Sequence, residues 1–127
     1  MEDKVIYKEL SYQIVGTAFD VYNALGHGYH EKIYHRAFGE GLKEKKLKFQ
    51  HEVFIPLRYK GIGVGRYYLD FLVEDKIVIE LKKGDYFSKS NMEQVKAYLK
   101  ATNLQLAMLI NFRSDGVKFM RILNSNL

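Results

Sequence analysis

The chain contains no cysteine, and Pro56 is its only proline. Without cysteine there can be no disulfide, no thiolate-bound zinc or iron–sulfur cluster, and no cysteine nucleophile. Long apolar runs are also missing, since no stretch approaches the roughly 18 residues that cross a bilayer. The first residues lack the basic start and apolar run of a signal peptide. We therefore expect a soluble cytoplasmic protein with no membrane association.

Composition and charge favour a compact fold with a polyanionic partner. Of the 127 residues, 47% are hydrophobic and 28% are charged, which predicts one globular domain spanning residues 1–127. Twenty basic residues against fifteen acidic ones give a formal net charge of +5. A basic surface suits nucleic acid, because neutralising phosphates releases counterions. On its own this is a weak indication, since many small proteins are equally basic.

The spacing of apolar residues predicts the order ααβββαββ. Three- and four-residue spacing indicates helices, and alternation indicates strands. An α/β fold, with a mixed sheet flanked by helices, follows from this order. The predicted helices cover residues 7–25, 31–46 and 91–101, and the predicted strands cover residues 49–59, 66–73, 77–82, 104–111 and 117–122.

Two short segments resemble known ligand-binding motifs only superficially. Gly61-Ile62-Gly63-Val64-Gly65 is glycine-rich, but no helix follows to bind a phosphate, so we interpret residues 60–65 as a hairpin turn. His27, Glu31 and His35 are spaced by four residues. The glycines around His27 disfavour one continuous helix there. His30-Glu31 followed by His35 is also too long by one residue for a His-Glu-x-x-His zinc motif.

The strand at residues 77–82 places two charges in an apolar context. An acid, any residue and then lysine occurs four times in the chain, so Glu80-Leu81-Lys82 is not distinctive as a pattern. Its neighbours Ile77, Val78 and Ile79 make this the most apolar strand, however. Side chains alternate along a strand, so Glu80 and Lys82 point to one face. Buried charges of this kind need partners or a metal ion.

Asp70 lies in the preceding strand and is also surrounded by apolar residues. The length of the connecting loop decides whether it meets Glu80. A two-residue loop pairs Asp70 with Ile79, whereas the three-residue loop Glu74-Asp75-Lys76, or a bulge, pairs it with Glu80. We predict the three-residue loop or the bulge. Two converging carboxylates suit Mg²⁺ or Mn²⁺, and a nearby lysine can position water. The alternative is a metal-free ion cluster at the end of a sheet.

The stretch from Asp70 to Glu80-Leu81-Lys82 resembles the catalytic signature of the PD-(D/E)XK nuclease superfamily, with Leu69 in place of the nominal proline. Gln94 and Tyr98 are similar to the Gln-x-x-x-Tyr motif of its RecB-like members. The resemblance implies a restriction-endonuclease-like core. It also implies that the Leu81 carbonyl joins the metal ligands, that Gln94 orients Lys82, and that Tyr98 supports the site or faces phosphate.

Upstream, Gly28-Tyr29-His30-Glu31-Lys32-Ile33-Tyr34 matches the motif of the GxxExxY family, a branch of the same superfamily. That resemblance extends from about Leu10 to Ile122 and includes relatives similar to Holliday-junction resolvases. It implies that Glu31 acts on the metal directly or through water. The alternative role of Glu31 is a helix N-terminal carboxylate stabilised by the helix dipole.

Together these features predict a Mg²⁺-dependent nuclease, with Mn²⁺ as a substitute, that hydrolyses DNA in preference to RNA. The predicted catalytic residues are Asp70, Glu80, Lys82, Glu31, Gln94 and Tyr98, and the predicted metal ligands are Asp70, Glu80, Leu81 and Glu31. The alternative is a catalytically silent module that keeps the nuclease fold and binds nucleic acid or a protein. So short a chain has little room for a DNA-gripping subdomain, and a homodimer could supply the missing surface.

Overall fold

A computed structural model of the chain describes residues 5–125. The element order within that range is ααβββαββ, as the sequence predicts. The elements are α1 (Lys8–Leu25), α2 (Glu31–Glu44), β1 (Phe49–Tyr59), β2 (Ile62–Val73), β3 (Ile77–Lys83), α3 (Lys89–Thr102), β4 (Leu106–Arg113) and β5 (Gly116–Leu123).

The five strands form one mixed sheet in the order β1-β2-β3-β4-β5. Strands β3 and β4 are parallel and are connected through α3, because a parallel pair needs a crossover. The other neighbouring strands pair antiparallel. The predicted mixed sheet flanked by helices is therefore confirmed.

Helices cover both faces of the sheet. Side chains of α1 and α2 pack against Ile77, Ile79 and Leu81 of β3 on one face. Those of α3 pack against Val78 on the other face. Because side chains alternate along a strand, Glu80 is directed to the same face as Val78, towards α3.

Helices α1 and α2 approach each other closely at Gly41. A Cβ added to Gly41 would lie 2.7 Å from Cγ2 of Thr17, which is fully buried in α1. A Cβ added to Gly39 would lie 3.6 Å or more from its neighbours, which is ordinary van der Waals contact. Glycine thus weakens α2 at both positions but is needed for packing only at Gly41.

The predicted turn at residues 60–65 is wrong in extent. Only Lys60 and Gly61, both with positive φ, form the turn, and β2 begins at Ile62 rather than Arg66. A two-residue hairpin with positive φ at both positions matches strand twist. Residues 62–65 then continue the ladder with β1, with a register shift between Leu57 and Arg58.

Other element ends differ from the predictions by one or two residues. Helix α3 begins at Lys89 rather than Asn91, because the Ser88 hydroxyl accepts a hydrogen bond from the Asn91 N–H at 3.0 Å and caps the helix. No helix among residues 5–125 is long and apolar enough to cross a membrane.

Candidate active site

The β2–β3 loop sets the register that brings the two predicted acids together. Phe71 pairs with Ile79, and Val73 pairs with Ile77, leaving a three-residue loop at 74–76. Glu74 and Asp75 have left-handed backbone angles in this loop. The three-residue loop predicted from the sequence is therefore confirmed. One further step in this register places Asp70 opposite Glu80.

Backbone pairing between β2 and β3 ends just before that step. At this point the Leu81 N–H donates a hydrogen bond of 2.8 Å to Oδ2 of Asp70. A side-chain carboxylate thus takes the position that a backbone carbonyl would occupy in a continuing ladder. This contact fixes the Asp70 carboxylate beside the first residues of the Glu80-Leu81-Lys82 segment.

Glu80 is buried on the α3 face and lacks a complete set of partners. It is 2% exposed, and no donor among the described residues reaches its Oε1 atom. Its Oε2 atom lies 3.4 Å from Nζ of Lys82. Burial, followed by the negative charge of Asp70, raises the pKa of Glu80 to about 8, against the opposing effect of Lys82. A buried carboxylate with a free oxygen beside a second carboxylate fits a hard divalent cation.

Lys82 lies at the edge of this acidic pair. Its side chain is about a quarter exposed, so the ammonium group contacts Glu80 while remaining accessible. On the parallel neighbouring strand β4, Lys82 pairs with Asn111, which is buried. The Asn111 amide donates to the Tyr86 carbonyl at 3.1 Å and so anchors the segment after β3. Asn111 was not predicted from the sequence as a site residue.

Tyr98 of α3 lies beside the acids, whereas Gln94 does not contact them. Tyr98 is 3% exposed, and its ring meets that of Tyr67 edge-on at 5.1 Å. Burial, followed by the charges of Glu80 and Asp70, raises the pKa of Tyr98, so its phenol stays protonated. Gln94 is exposed, and no hydrogen bond joins it to Lys82 within residues 5–125. Its predicted orienting role therefore stays a prediction.

The segment before α2 explains part of the Gly28-to-Tyr34 motif. Gly28 has a φ of 96°, which favours glycine. The Tyr34 hydroxyl donates to the Gly26 carbonyl at 2.6 Å, and its ring stacks on Phe112 at 4.4 Å. Lys83 donates to the Tyr29 carbonyl at 3.0 Å, which ties this segment to the end of β3. These contacts fix the position at which α2 begins.

Glu31 is the first residue of α2 and is exposed. The structure groups no three His, Cys, Asp or Glu side chains in a metal-binding arrangement within the described part of the chain, so Glu31 is not gathered with Asp70 and Glu80. It does lie one helical turn before His35, on the same helix face. His35 in turn reaches Asp70, which leaves a role for Glu31 through water as a prediction.

His35 is the site residue whose role the sequence analysis missed. Its Nε2 atom lies 3.4 Å from Oδ2 of Asp70, and its Nδ1 atom lies 3.0 Å from Nε2 of His51. His51 stacks on Phe71 at 4.5 Å. If His35 donates from Nε2 to Asp70, its Nδ1 accepts from His51. The four-residue spacing from Glu31 was the available signal, but it does not reveal that β1 supplies His51.

A family model described as the PD-(D/E)XK nuclease superfamily matches residues 8–122. The chain belongs to this superfamily. No curated protein sequence matches it significantly. The narrower GxxExxY assignment remains a prediction.

Two solved structures are similar to this PD-(D/E)XK protein. The crystal structure of SSO0001 superposes with a TM-score of 0.59 at 14% identity, covering 91% of this chain and 77% of SSO0001. An alkaline exonuclease (LHK-Exo) from Laribacter hongkongensis gives a TM-score of 0.47 at 14% identity, covering 98% of this chain and 73% of the exonuclease. At this identity the first likeness shows the fold alone.

Leu69 occupies the position of the superfamily's nominal proline. It is fully buried and belongs to the apolar cluster between the sheet and α3. Its neighbour Val53 on β1 packs against the same cluster. In this PD-(D/E)XK protein the position before the predicted catalytic aspartate therefore contributes to the core.

Proposed function

We propose that this protein is a divalent-metal-dependent nuclease that hydrolyses the phosphodiester bonds of DNA. The observation that carries the proposal is the unpartnered Oε1 atom of buried Glu80 beside Asp70. Without a cation this arrangement is unfavourable, because burying an ionised carboxylate costs desolvation free energy that only a paired charge or hydrogen bonds can offset. Superfamily membership supports the same chemistry, since these nucleases generally use divalent metals.

The residues that would hold the cation are Asp70, Glu80 and the Leu81 carbonyl, with Glu31 acting through water. Carboxylate and carbonyl oxygens are the ligands that Mg²⁺ prefers, and Mn²⁺ would substitute. When bound, the cation would polarise the phosphodiester and neutralise the charge that develops on it. Binding would displace the proton that Glu80 otherwise retains near neutral pH.

The protein's own side chains then complete the reaction. Lys82 orients the attacking water and offsets phosphate charge with its accessible ammonium group. Gln94 orients Lys82, and the protonated Tyr98 hydroxyl supports the site from α3. The water oxygen bonds to phosphorus as the bond from phosphorus to the 3′ oxygen breaks. The products are a 5′-phosphate and a 3′-hydroxyl that gains the proton.

A nuclease assay with single-residue variants tests this proposal. Duplex, branched and single-stranded DNA are incubated with Mg²⁺ or Mn²⁺, and product ends are identified. Asp70→Ala, Glu80→Ala and Lys82→Ala should each abolish cleavage while circular dichroism shows a retained fold. The matched control Asp115→Ala removes an exposed acid from the β4–β5 turn and should cleave as wild type. Full activity in the three site variants would refute the assignment.

A module without turnover is the second candidate function. It is favoured by the absence of a preformed three-ligand group within residues 5–125 and by the exposed position of Gln94. Such a module would bind nucleic acid or a protein partner, with or without pairing to a second copy. Metal binding that disappears in an Asp70→Ala/Glu80→Ala variant, combined with no cleavage of any substrate tested, would favour this function over the first.

A further inference from the structure

The distal part of the β1–β2 hairpin extends past the rest of the sheet. Within the described chain, β3 pairs only with residues 71–73 of β2. The preceding residues 62–69 pair with β1 alone. Residues 53–69 thus form a two-stranded ribbon, which we call the arm. Since β2 runs from the turn at Gly61 directly to Asp70, the base of the arm adjoins the candidate site.

One face of the arm is anchored to the protein at its base. Val53, Ile55 and Tyr67 pack against the apolar cluster beneath α3. The ring of Tyr67 also contacts Tyr98, which lies beside the acids. The arm is therefore held in a fixed direction relative to Glu80 and Asp70 near its base.

The other face and the tip of the arm are exposed. Phe54 and Tyr68 form a cross-strand pair with ring centroids 5.7 Å apart, and each is 52% exposed. At the tip, Tyr59, Ile62 and Val64 are each more than 60% exposed. Clustered exposed apolar and aromatic residues of this kind mark interaction surfaces.

The arm carries charge of one sign only. Residues 53–69 include no Asp or Glu, but they include Arg58, Lys60 and Arg66. None of these three cations forms an ion pair among the described residues, and Lys60 lies 5.3 Å from the ring centroid of Tyr59. An acid-free ribbon with three free cations is complementary to a polyanion.

A second copy of the chain fits this surface poorly. β1 is the edge strand, and Pro56 in its middle removes a backbone donor that strand addition would need. Two arms brought together would also place six cations side by side without a compensating acid. Charge and edge chemistry therefore both favour nucleic acid as the occupant.

We propose that the arm lies in the major groove of duplex DNA, with Arg58, Lys60 and Arg66 on backbone phosphates. The inference rests on the proposed nuclease function and names the form of its substrate. The major groove of B-form DNA admits a two-stranded β-ribbon. The major groove of A-form RNA is deep and narrow, which excludes a ribbon of this width.

The length of the arm sets the length of duplex that it contacts. A strand rises about 3.3 Å per residue, so the eight steps from Asp70 to Ile62 span about 26 Å. One strand of DNA advances about 3.4 Å per nucleotide, so the arm reaches about eight base pairs from the site. Duplexes that extend at least that far on one side should bind more tightly than shorter ones.

Binding without cleavage tests the arm separately from catalysis. Fluorescence anisotropy with the full chain in EDTA is recorded for labelled random-sequence DNA duplexes of about 8 and about 24 base pairs, which correspond to one and three arm lengths. The variant Arg58→Gln/Lys60→Gln/Arg66→Gln removes the arm cations. The control Lys8→Gln/Lys46→Gln/Lys118→Gln removes three exposed cations elsewhere with the same change in net charge.

We expect the arm variant to bind the long duplex about tenfold or more weakly and to lower the slope of log affinity against log salt by about 2 to 3. The control variant should keep most of the wild-type affinity for the long duplex and most of the wild-type salt slope. An equal loss in the two variants would overturn the arm as a dedicated contact. If duplex RNA bound as tightly as duplex DNA and lost the same affinity in the arm variant, the proposal that the arm enters the major groove would be wrong. A wild-type dimer that Ile62→Ser/Val64→Ser dissociates would identify the surface as a subunit interface instead.

The two proposals fail in different ways. If wild type cleaves DNA and the arm variant binds and cleaves equally well, the arm inference is wrong and the nuclease function stands. If nothing is cleaved but arm-dependent duplex binding is present, the nuclease function fails and the arm inference stands.

Discussion

Replacing Glu80 by glutamine should make the metal-free protein more stable at alkaline pH. The substitution keeps the shape of the side chain and removes the charge that is unfavourable in its buried position. Folding raises the pKa of this carboxyl from an ordinary 4.5 to about 8, chiefly because burial disfavours the ionised form. The folded protein therefore binds this proton more tightly than the unfolded chain does.

The sign and size of the effect follow from proton linkage. The contribution of Glu80 to stability is fully present below about pH 4.5 and is lost as pH rises to about 8. Each pH unit in this window corresponds to about 1.4 kcal/mol, which gives an upper value of about 5 kcal/mol. Relaxation and water entry around a buried charge reduce this, so we expect a few kcal/mol. That is a large part of the ~5–15 kcal/mol that stabilises a typical domain.

Urea unfolding in EDTA between pH 5 and pH 9 measures this contribution. Wild type should lose stability across the range more steeply than Glu80→Gln. A control variant, Glu44→Gln, removes an exposed carboxyl from the end of α2 and should keep the wild-type slope. Identical slopes in wild type and Glu80→Gln would refute the electrostatic reasoning.

Added Mg²⁺ supplies the complementary half of the test. A cation that binds only the folded state stabilises it, by about 3 kcal/mol at a hundred times its dissociation constant. Wild type at pH 8 should gain stability with Mg²⁺, whereas Glu80→Gln should gain little because one ligand has lost its charge. Equal gains would place the bound cation elsewhere.

Three further predictions concern residues around the site and the core. His35→Asn should lower nuclease activity and metal affinity by about 10- to 100-fold, measured by initial rates and calorimetry. The reason is that His35 contacts the Asp70 carboxylate, which is a ligand in the proposed metal site. Gly41→Ala should lower the free energy of unfolding by about 1–3 kcal/mol in urea titrations, because the added methyl group overlaps Thr17. Gly39→Ala has room for its methyl group and should instead raise the free energy of unfolding by up to about 1 kcal/mol. Asp70→Asn should retain more stability than Asp70→Ala, by about 1–3 kcal/mol, since an amide oxygen still accepts the hydrogen bond from β3, while both variants lose cleavage.

Side-chain alternation, together with the length of the loop, predicted that Asp70 and Glu80 meet. The two side chains must point to the same face of their strands, and either an odd loop or a bulge satisfies that condition. The observed pairing of Val73 with Ile77 is the direct consequence. The register of the two strands that hold the acids could therefore be predicted from the local alternation of side chains.

The histidine pair could not be predicted in the same way. His35 lies on α2 and His51 on β1, so their 3.0 Å contact depends on how a helix sits over a strand. Periodicity defines which face of each element is apolar, but it does not identify the neighbour across a layer. The extent of β2 was missed for a related reason, since alternating glycines at residues 61–65 suggest a turn unless the pairing with β1 is known.

A change of face at Asp70 connects the candidate site with the arm. Tyr67 and Leu69 point towards α3, yet Phe71 and Val73 point towards α1 and α2, although all four are at odd positions. Simple alternation would put them on one face, so β2 changes orientation at Asp70.

The partner strand changes at the same level. The register that pairs Val53 with Leu69 and His51 with Phe71 places Glu52 opposite Asp70, and Glu52 has a φ of 56°. An irregularity shared by two paired strands changes the direction of their side chains and can end their pairing with a third strand. Here it turns the Asp70 carboxylate towards the Leu81 N–H and ends the β2–β3 ladder. The same break leaves the residues before Asp70 paired with β1 alone, so the geometry that forms the acidic site also frees the arm.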